Sequence, residues 1–171
     1  MPYDRGKWAS AFAPRRKGEK RYWLVKSEPD VFSFDHLLEA KGRTTAWDGV
    51  RNTGARNFLR DGMQKGDGVL FYRSNAVPSA VVGLCTVVRA GYPDATAFDE
   101  GSEYFDPESD RATPMWYAVD LRADAALKRP VTLAAIKGDP ALSEMALLRV
   151  SRLSVIPVTP REWERICVMG G

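Results

Sequence analysis

This chain is poor in the residues that most often hold metals or crosslink small domains. Its 171 residues include two cysteines, Cys85 and Cys167, and one histidine, His36. Two cysteines are too few for a disulfide framework or a zinc cluster, and one histidine excludes a multi-histidine metal site. A chain of this length buries roughly 70 % of its unfolded surface and needs neither kind of crosslink. We therefore expect one globular domain without a metal or a cofactor.

Long apolar segments are also missing. No apolar run approaches the roughly 20 residues that span a bilayer, and the first twenty residues contain no apolar signal region. We expect a soluble protein of a reducing compartment that is not secreted and has no membrane partner. Its expected location is cytoplasmic in a bacterium and nuclear in a eukaryote.

Signatures of common enzyme chemistry are absent as well. The chain has no GxxxxGKS/T or GxGxxG phosphate loop and no GxSxG nucleophile motif. Cys85 lies in the apolar run Val-Val-Gly-Leu-Cys-Thr-Val-Val, which favours a buried thiol over a nucleophile. Carboxylates are plentiful, but no spacing singles out a catalytic pair. Binding is therefore favoured over catalysis.

The charge of the chain is unevenly distributed. Residues 1–20 hold six bases and two acids, whereas the remaining 151 residues carry 19 bases and 20 acids. We expect residues 1–20 to form a basic, disordered N-terminal arm and residues 21–171 to form a single domain. Such an arm either contacts phosphates, so that its deletion would flatten the salt dependence of binding, or is an idle solvated leader.

Charges also segregate inside the domain. Residues 43–73 hold six bases and three acids, and residues 94–110 hold seven acids and no base. If the first segment lines a groove, that groove attracts an anion. The acidic segment is typical of a solvated loop, or of a gate that repels phosphate.

Residue patterns predict a sheet with few, short helices. Branched and alternating apolar runs predict strands over residues 21–26, 69–73, 80–88, 115–122 and 153–158. Capping residues and helical spacing predict helices over residues 33–41, 52–61, 132–137, 141–147 and 160–168. Because the helices do not alternate regularly with the strands, no βαβ series is expected. The sequence predicts an α+β fold, a bent mixed β-sheet or small β-barrel flanked by short helices.

Polar side chains follow strands or open a helix in three segments. These are Lys26-Ser27-Glu28, Trp47-Asp48-Gly49-Val50-Arg51-Asn52 and Phe71-Tyr72-Arg73-Ser74-Asn75. Together they combine aromatic rings with amides, hydroxyls and carboxylates, a mixture that suits a planar heterocycle. Aromatic rings stack on its face, while Asn, Ser and Glu hydrogen-bond its edge. Arg51 and Arg56 lie near a helix start, where they are candidates for holding a phosphate.

Structural explanations compete with this interpretation. Trp23 and Phe71 are strand aromatics, which usually pack inward. Asp48 fits a turn or a helix cap. Glu28 either reads the edge of a base or pairs with Lys26 or Arg56. From composition alone, the nucleobase interpretation is only a suggestion.

Several motifs that occur in order along the chain resemble those of the EVE domain family. They cover about residues 21–168 and are Tyr22-Trp23-Leu24-Val25-Lys26-Ser27-Glu28-Pro29-Asp30, Trp47-Asp48-Gly49-Val50-Arg51-Asn52, Ala55-Arg56-Asn57-Phe58-Leu59-Arg60, Gly66-Asp67-Gly68-Val69-Leu70-Phe71-Tyr72, Ser74-Asn75, Tyr104-Phe105-Asp106-Pro107, Pro114-Met115-Trp116 and Arg152-Leu153-Ser154-Val155. Independent motifs in one order make the resemblance far more specific than any single motif.

The resemblance implies a PUA-like fold and kinship with the YTH and ASCH domains. By likeness to those readers, we expect a non-catalytic module that binds a modified base, preferably a modified cytosine, in DNA or RNA, with a monomer favoured. The expected base-binding pocket consists of Lys26, Ser27, Glu28, Trp47, Asn52, Tyr72, Ser74, Asn75 and Trp116. The expected phosphate contacts are Arg51, Arg56 and Arg73.

Kinship with ASCH domains also allows a second hypothesis, that the protein is an enzyme. It would be a hydrolase or nuclease that acts on modified nucleosides or nucleic acid, with Glu28 as general base and Lys26 as an electrostatic aid. A third interpretation is an accessory protein whose real partner is another protein.

Overall fold

The fold is built on one mixed sheet, described by a computed structural model over residues 8–171. Its strands are β1 (Tyr22–Ser27), β2 (Thr44–Trp47), β3 (Gly68–Arg73), β4 (Ala80–Pro93), β5 (Tyr117–Thr132) and β6 (Val155–Val158). They lie in the order β2-β5-β4-β3-β1-β6. β1 and β3 are parallel, and the other neighbouring pairs are antiparallel. Over the described residues β2 and β6 are free edges, so the sheet is open and the closed barrel that the sequence also allowed is not formed.

Short helices flank this sheet, as the sequence predicts. They are α1 (Ala9–Phe12), α2 (Phe34–Glu39), α3 (Thr53–Asn57), α4 (Leu133–Lys137), α5 (Ala146–Arg149) and α6 (Pro160–Gly170). A π-helical turn over Phe58–Gly62 continues α3. The predicted caps Ser33 and Asn52 accept hydrogen bonds from the N–H groups of His36 and Ala55. No helix within residues 8–171 is long and apolar enough to cross a membrane.

Some strands differ from the prediction because they depend on distant partners. The sequence does not predict β2, a four-residue edge strand that exists by pairing with β5. β4 and β5 extend beyond their predicted ends, since each pairs with the other. Gly66-Asp67-Gly68, a sequence typical of hairpin turns, lies before β3 but closes no hairpin, because β3 pairs in parallel with β1.

The core consists mainly of side chains from the sheet and the segment after α3. Trp23 and Phe71 are 0 % and 1 % exposed, which confirms that they are core residues. The Trp23 ring packs on Phe58, with the ring centroids 5.7 Å apart. Cys85 is also buried, and burial raises the pKa of its thiol. A buried thiol of raised pKa is inert, as the sequence suggests.

Residues 8–20 are packed against the domain, which corrects the prediction of a disordered arm for this stretch. α1 buries Ala11 and places Phe12 on Phe58, with the ring centroids 5.5 Å apart. Trp8 meets the same Phe58 ring edge-on, at 5.8 Å. The basic composition of the segment hides these aromatic anchors, whose partner lies about fifty residues away. Residues 1–7 lie outside the described residues.

A buried carboxylate, Asp67, ties the N-terminal segment to the sheet. Arg15 donates to Asp67 through both terminal nitrogens, at 2.5 and 2.7 Å, and Trp23 Nε1 donates at 2.9 Å. Backbone N–H groups of Arg21 and Gln64 also donate to it. Because an unpaired buried charge is costly, deleting residues 1–20 would destabilise the domain. That deletion therefore does not test salt-dependent binding alone.

Replacing Arg15 by alanine should destabilise the domain. The change leaves Asp67 buried without its cation, which costs about 3 kcal/mol in the free energy of unfolding. Arg149→Ala is the matched control, because it breaks an exposed pair with Glu144 that is worth about 1 kcal/mol or less. Urea denaturation of the three proteins measures both losses. Equal losses in the two variants would contradict the role assigned to the Arg15–Asp67 pair.

Candidate functional site

A cavity opens where β1 ends against the loop that joins β2 to α3. Its volume is about 660 Å³, which lies within the range of small-ligand sites. It is bordered by the end of β1 with the turn after it and by β2 with the loop after it. Two more distant loops contribute one residue each. The lining residues are Lys26, Ser27, Glu28, Val31, Phe32, Thr45, Ala46, Trp47, Asp48, Gly49, Val50, Arg51, Asn52, Tyr104 and Ser154.

The parallel pairing of β1 and β3 brings two of the predicted polar segments together. Because the strands are parallel neighbours, their carboxyl ends meet at the same edge of the sheet. The Ser74 N–H donates to the Ser27 carbonyl at 3.0 Å. Asn75 Nδ2 donates to Glu28 at 2.7 Å. The segment after β3 is therefore attached to the cavity wall that follows β1.

The loop from Asp48 to Asn52 forms another wall and requires Gly49. Gly49 has a φ of +74°, and a Cβ at this position would lie 2.8 Å from the Tyr104 ring. Both the left-handed backbone and this close approach exclude larger residues. The Tyr104 side chain therefore lies directly against the loop, at the edge of the cavity.

Asp94 is the buried carboxylate that holds this loop in place. It is 0 % exposed and accepts hydrogen bonds from Gly49, Arg51 and Thr96. Burial by itself raises the pKa of a carboxyl group. The hydrogen bonds from Thr96, Arg51 and Gly49 outweigh burial and hold the pKa of Asp94 below its ordinary value. Asp94 is therefore ionised at neutral pH, and its charge organises the loop.

Arg51 is fully engaged inside the protein. Its guanidinium makes five hydrogen bonds, to Asp94, to Thr96, to the Val50 carbonyl and twice to the Tyr104 carbonyl. A guanidinium has five N–H donors, so none is left for a phosphate. Arg51 therefore positions the loop, and the phosphate contact predicted for it would require one of these bonds to be exchanged.

Aromatic rings border the cavity, but the indole of Trp47, one of the aromatic residues predicted for the pocket, is largely covered. Trp47 is 8 % exposed, because its ring packs edge-on against Phe71 at 5.6 Å and Phe32 at 6.2 Å. Phe32 and Tyr104 line the cavity together with Trp47. A planar ligand would meet parts of three rings instead of one broad face.

Besides Arg51, the lining contains one lysine and two carboxylic acids, Lys26, Glu28 and Asp48. Lys26 is partly buried, and burial lowers the pKa of its ammonium group. Burial, and after it the charge of Asp94, raises the pKa of Asp48. Glu28 is exposed, and Asn75 contacts one of its two carboxylate oxygens. One strong donor and two acceptors therefore border one space. In the described part of the chain, no group of three or more His, Cys, Asp or Glu side chains could hold a metal ion.

The structure brings together most of the predicted pocket and separates the rest. Lys26, Ser27, Glu28, Trp47 and Asn52 line the cavity. The side-chain oxygen of Asn52 also caps α3 by accepting from the Ala55 N–H at 3.0 Å. Asn75 and Ser74 adjoin the lining through Glu28 and Ser27, as described above.

Tyr72 and Trp116 do not line this cavity. Tyr72 is 4 % exposed and pairs with Lys26 across the β1–β3 ladder. Trp116 is 8 % exposed, donates to Asp106 at 2.7 Å, and lies with its ring centre 5.3 Å from the Arg51 guanidinium. Trp116 contacts the wall residue Arg51 from outside the cavity, and Tyr72 adjoins the wall residue Lys26 through the strand pairing.

The other two arginines predicted to bind phosphate also lie outside the lining. Arg56 donates to the Met115 carbonyl at 2.7 Å and to Asn57 at 2.9 Å. Arg73 donates to the Pro78 carbonyl at 3.0 and 3.2 Å. These bonds leave Nη2 of Arg56 and Nη1 of Arg73 unused, so both residues stay candidates for a phosphate contact.

Sequence reasoning misses several lining residues. It assigns Asp48 to a turn and gives no role to Phe32, Tyr104 or Ser154. Tyr104 and Ser154 belong to segments that resemble the family motifs, which is the signal that could have found them. Phe32 carries no such signal, since hydrogen bonds within the turn after β1 place it at the cavity. They run from the Phe32 N–H to the Glu28 carbonyl at 2.9 Å and from Ser27 Oγ to the Phe32 carbonyl.

Comparisons with known proteins identify the relatives of this chain. A protein-family model described as the EVE domain matches residues 21–169. Human thymocyte nuclear protein 1 is 37 % identical over 166 residues, which cover 86 % of this chain and 73 % of the human protein.

Solved structures of similar sequence share the fold. A hypothetical protein from Leishmania major is 45 % identical, with a TM-score of 0.85 over 91 % of this chain and 97 % of that chain. Human THYN1 protein, solved in complex with 5-methylcytosine-containing DNA, is 36 % identical, with a TM-score of 0.83 over 88 % of this chain and 98 % of that chain. These similarities confirm the expected α+β, PUA-like fold.

Replacing Asp94 by asparagine should lower stability at neutral pH and change its pH dependence. The variant loses hydrogen bonds to a charged group, worth about 2 kcal/mol. Because the pKa of Asp94 is lowered in the folded protein, its contribution is present above the unfolded-state pKa of about 3.9. The contribution is lost as the pH falls through the folded-state pKa, so the difference between the two proteins should shrink below about pH 4.

Urea denaturation over a series of acidic to neutral pH values measures this difference. Glu100→Gln is the control, since Glu100 is an exposed acid six residues further along the chain. A stability difference between wild type and Asp94→Asn that stays constant at all pH values would contradict the role of the Asp94 charge.

Proposed function

This chain belongs to the EVE domain family, and from that premise we propose that it binds DNA containing a modified cytosine and does not transform it. The observation that carries the proposal is the complex of human THYN1 protein with 5-methylcytosine-containing DNA. Since the two chains share the fold over most of their lengths, the same kind of ligand is proposed here.

The cavity at the end of β1 supports the proposal by its size and its borders. A volume of about 660 Å³ leaves room for one nucleobase with part of its sugar. Trp47, Phe32 and Tyr104 provide ring edges and faces against which a base can pack. Stacking on an aromatic side chain contributes about 1–3 kcal/mol per base, comparable to the cost of removing a base from its stack.

The charged and amide groups of the cavity suit the edge of cytosine. Cytosine presents an exocyclic amine at N4, which donates to a carboxylate such as Glu28 or Asp48. Its ring nitrogen and carbonyl accept from donors such as Lys26 or the Asn52 amide. Thymine has a carbonyl in place of the amine, which would leave it facing a carboxylate. The arrangement therefore favours cytosine over thymine.

A methyl group on the cytosine ring adds little by burial alone. One buried methyl is worth about 0.8 kcal/mol, or about fourfold in affinity. A larger preference for the modified base requires a clash or an unpaired polar group with the unmodified one. The apolar side chains of Val31 and Val50, which line the cavity, are the candidates for contacting the methyl group.

Arg56 and Arg73 are proposed to contact phosphates on either side of the bound base. Each holds its guanidinium with backbone carbonyls and keeps a terminal nitrogen for a phosphate oxygen. Tyr72, Ser74 and Trp116 are proposed to support the pocket from behind its lining. Phosphate contacts of this kind add affinity that does not depend on sequence.

Glu28→Gln should weaken binding to a single-stranded DNA oligonucleotide that contains one 5-methylcytosine. The substitution removes the charge of the acceptor for the N4 amine, and the expected loss is about tenfold in affinity. Because Glu28 is exposed, the melting curve of the variant should match that of the wild type. Fluorescence anisotropy with oligonucleotides containing 5-methylcytosine, cytosine or thymine at one position measures both affinity and preference.

The matched control is Glu164→Gln, which removes the same charge from an acid that lines a different cavity beside α6. Equal losses in the two variants would mean that net charge, not the base edge, sets the affinity. Equal binding of all three oligonucleotides by the wild type would contradict base recognition. Formation of a product during incubation with Mg²⁺ would instead favour the hydrolase or nuclease.

A further inference from the structure

The segment after β3, residues 74–79, is a loop attached to the cavity wall, and we call it the rim loop. Its first residues are attached to the lining, since the Ser74 N–H donates to Ser27 and Asn75 donates to Glu28. Ser27 and Glu28 both line the cavity. The position of the rim loop is therefore coupled to the proposed base-binding site.

The second half of the rim loop is held by hydrogen bonds of its own. Arg73 donates through Nε and Nη2 to the Pro78 carbonyl, at 3.2 and 3.0 Å. Ser79 Oγ donates to the Ala76 carbonyl at 3.2 Å and accepts from the Ala76 N–H at 3.4 Å. These bonds hold the backbone in place on both sides of Val77, the residue at the tip of the loop.

That tip carries an apolar side chain in solvent. Among the described residues Val77 is the most exposed large hydrophobic residue, and its side chain is fully exposed. Two peptide bonds separate it from Asn75, so the two Cα atoms are at most about 8 Å apart. Val77 therefore lies within about 8 Å of a residue that contacts the cavity lining, and it does not contribute to the core.

A duplex that gives up a base to a cavity is left with a gap in its stack. Extruding the base costs stacking and pairing energy, and the gap lies beside the sugar of the extruded nucleotide. Proteins that open base steps frequently insert apolar side chains between the bases. An apolar residue that is already held in position can do so without a further ordering cost.

We propose that Val77 is the side chain that enters this gap, so that the protein extracts its base from duplex DNA as well as from single strands. The inference rests on the proposed function, because it requires a base in the cavity. The partner that the Val77 side chain contacts is the base stack next to the extruded nucleotide. Val77 should matter for a duplex, in which a stack must be replaced, and not for a single strand.

The test compares Val77→Ser with the wild type on one 5-methylcytosine oligonucleotide, used both as a single strand and in a duplex. We expect Val77→Ser to bind the duplex roughly tenfold more weakly, as for the loss of a buried valine contact, and to bind the single strand as the wild type does. Val168→Ser is the matched control, since Val168 is a 68 % exposed valine on α6. It should bind both forms like the wild type.

A second readout reports on the duplex itself. With 2-aminopurine next to the 5-methylcytosine, saturating wild-type protein should raise the fluorescence as the neighbouring base loses its stacking partner. Val77→Ser at saturation should raise it less. Val31→Ser changes the exposed valine of the cavity lining. It tests whether Val31, instead of Val77, enters the gap.

The outcomes separate the two proposals. Wild-type protein that binds neither form contradicts the proposed function, and with it the insertion of Val77. Binding to the single strand but not to the duplex overturns the insertion of Val77 alone. So do equal affinities of wild type and Val77→Ser for the duplex, equal losses on both forms, or a duplex-specific loss in Val31→Ser but not in Val77→Ser.

Discussion

The candidate site depends on one buried carboxylate, Asp94. An ionised group without access to water must be surrounded by donors, and Asp94 obtains them from Gly49, Arg51 and Thr96. Arg51 then extends the contact by donating to the Tyr104 carbonyl at 2.8 Å. The loop after β2 and the segment that carries Tyr104 are thereby held together, so the cavity between the loop and β1 exists before any ligand arrives. This preorganisation removes an ordering cost from binding.

Two buried aspartates divide the work of holding loops to the sheet. Asp94 organises the cavity wall, whereas Asp67 attaches the N-terminal segment through Arg15 and Trp23. Both explain why charge segregation along the sequence is a poor guide to the surface. One acid of the acidic segment and one base of the basic segment neutralise each other inside the fold. If residues 43–73 line a basic groove, the charge of Arg51 is already neutralised there by Asp94. Arg56 and Arg73 are the remaining candidates for phosphate contacts.

Topology explains why polar segments that are distant in sequence meet. Ligand sites form where the carboxyl ends of parallel strands meet, and β1 and β3 are such a pair. The turn after β1 supplies Glu28, and the rim loop after β3 supplies Asn75, which donates to it. The polar lining at the end of β1 and the attached rim loop are then two consequences of one strand pairing. The same loop touches the lining and carries the exposed Val77.

The sequence by itself determined the element types, the aromatic core and the family, because caps, alternation and motifs are local patterns. Ser33 and Asn52 cap their helices where predicted, and Trp23 and Phe71 are buried. Tertiary structure alone decided which polar residues share the cavity. It engaged the Arg51 donors in internal hydrogen bonds, covered most of the Trp47 ring and packed residues 8–20 against the domain. These outcomes rest on contacts between residues 15 to 52 positions apart, such as Phe32–Trp47, Arg51–Asp94 and Arg15–Asp67, and no local pattern encodes such pairings.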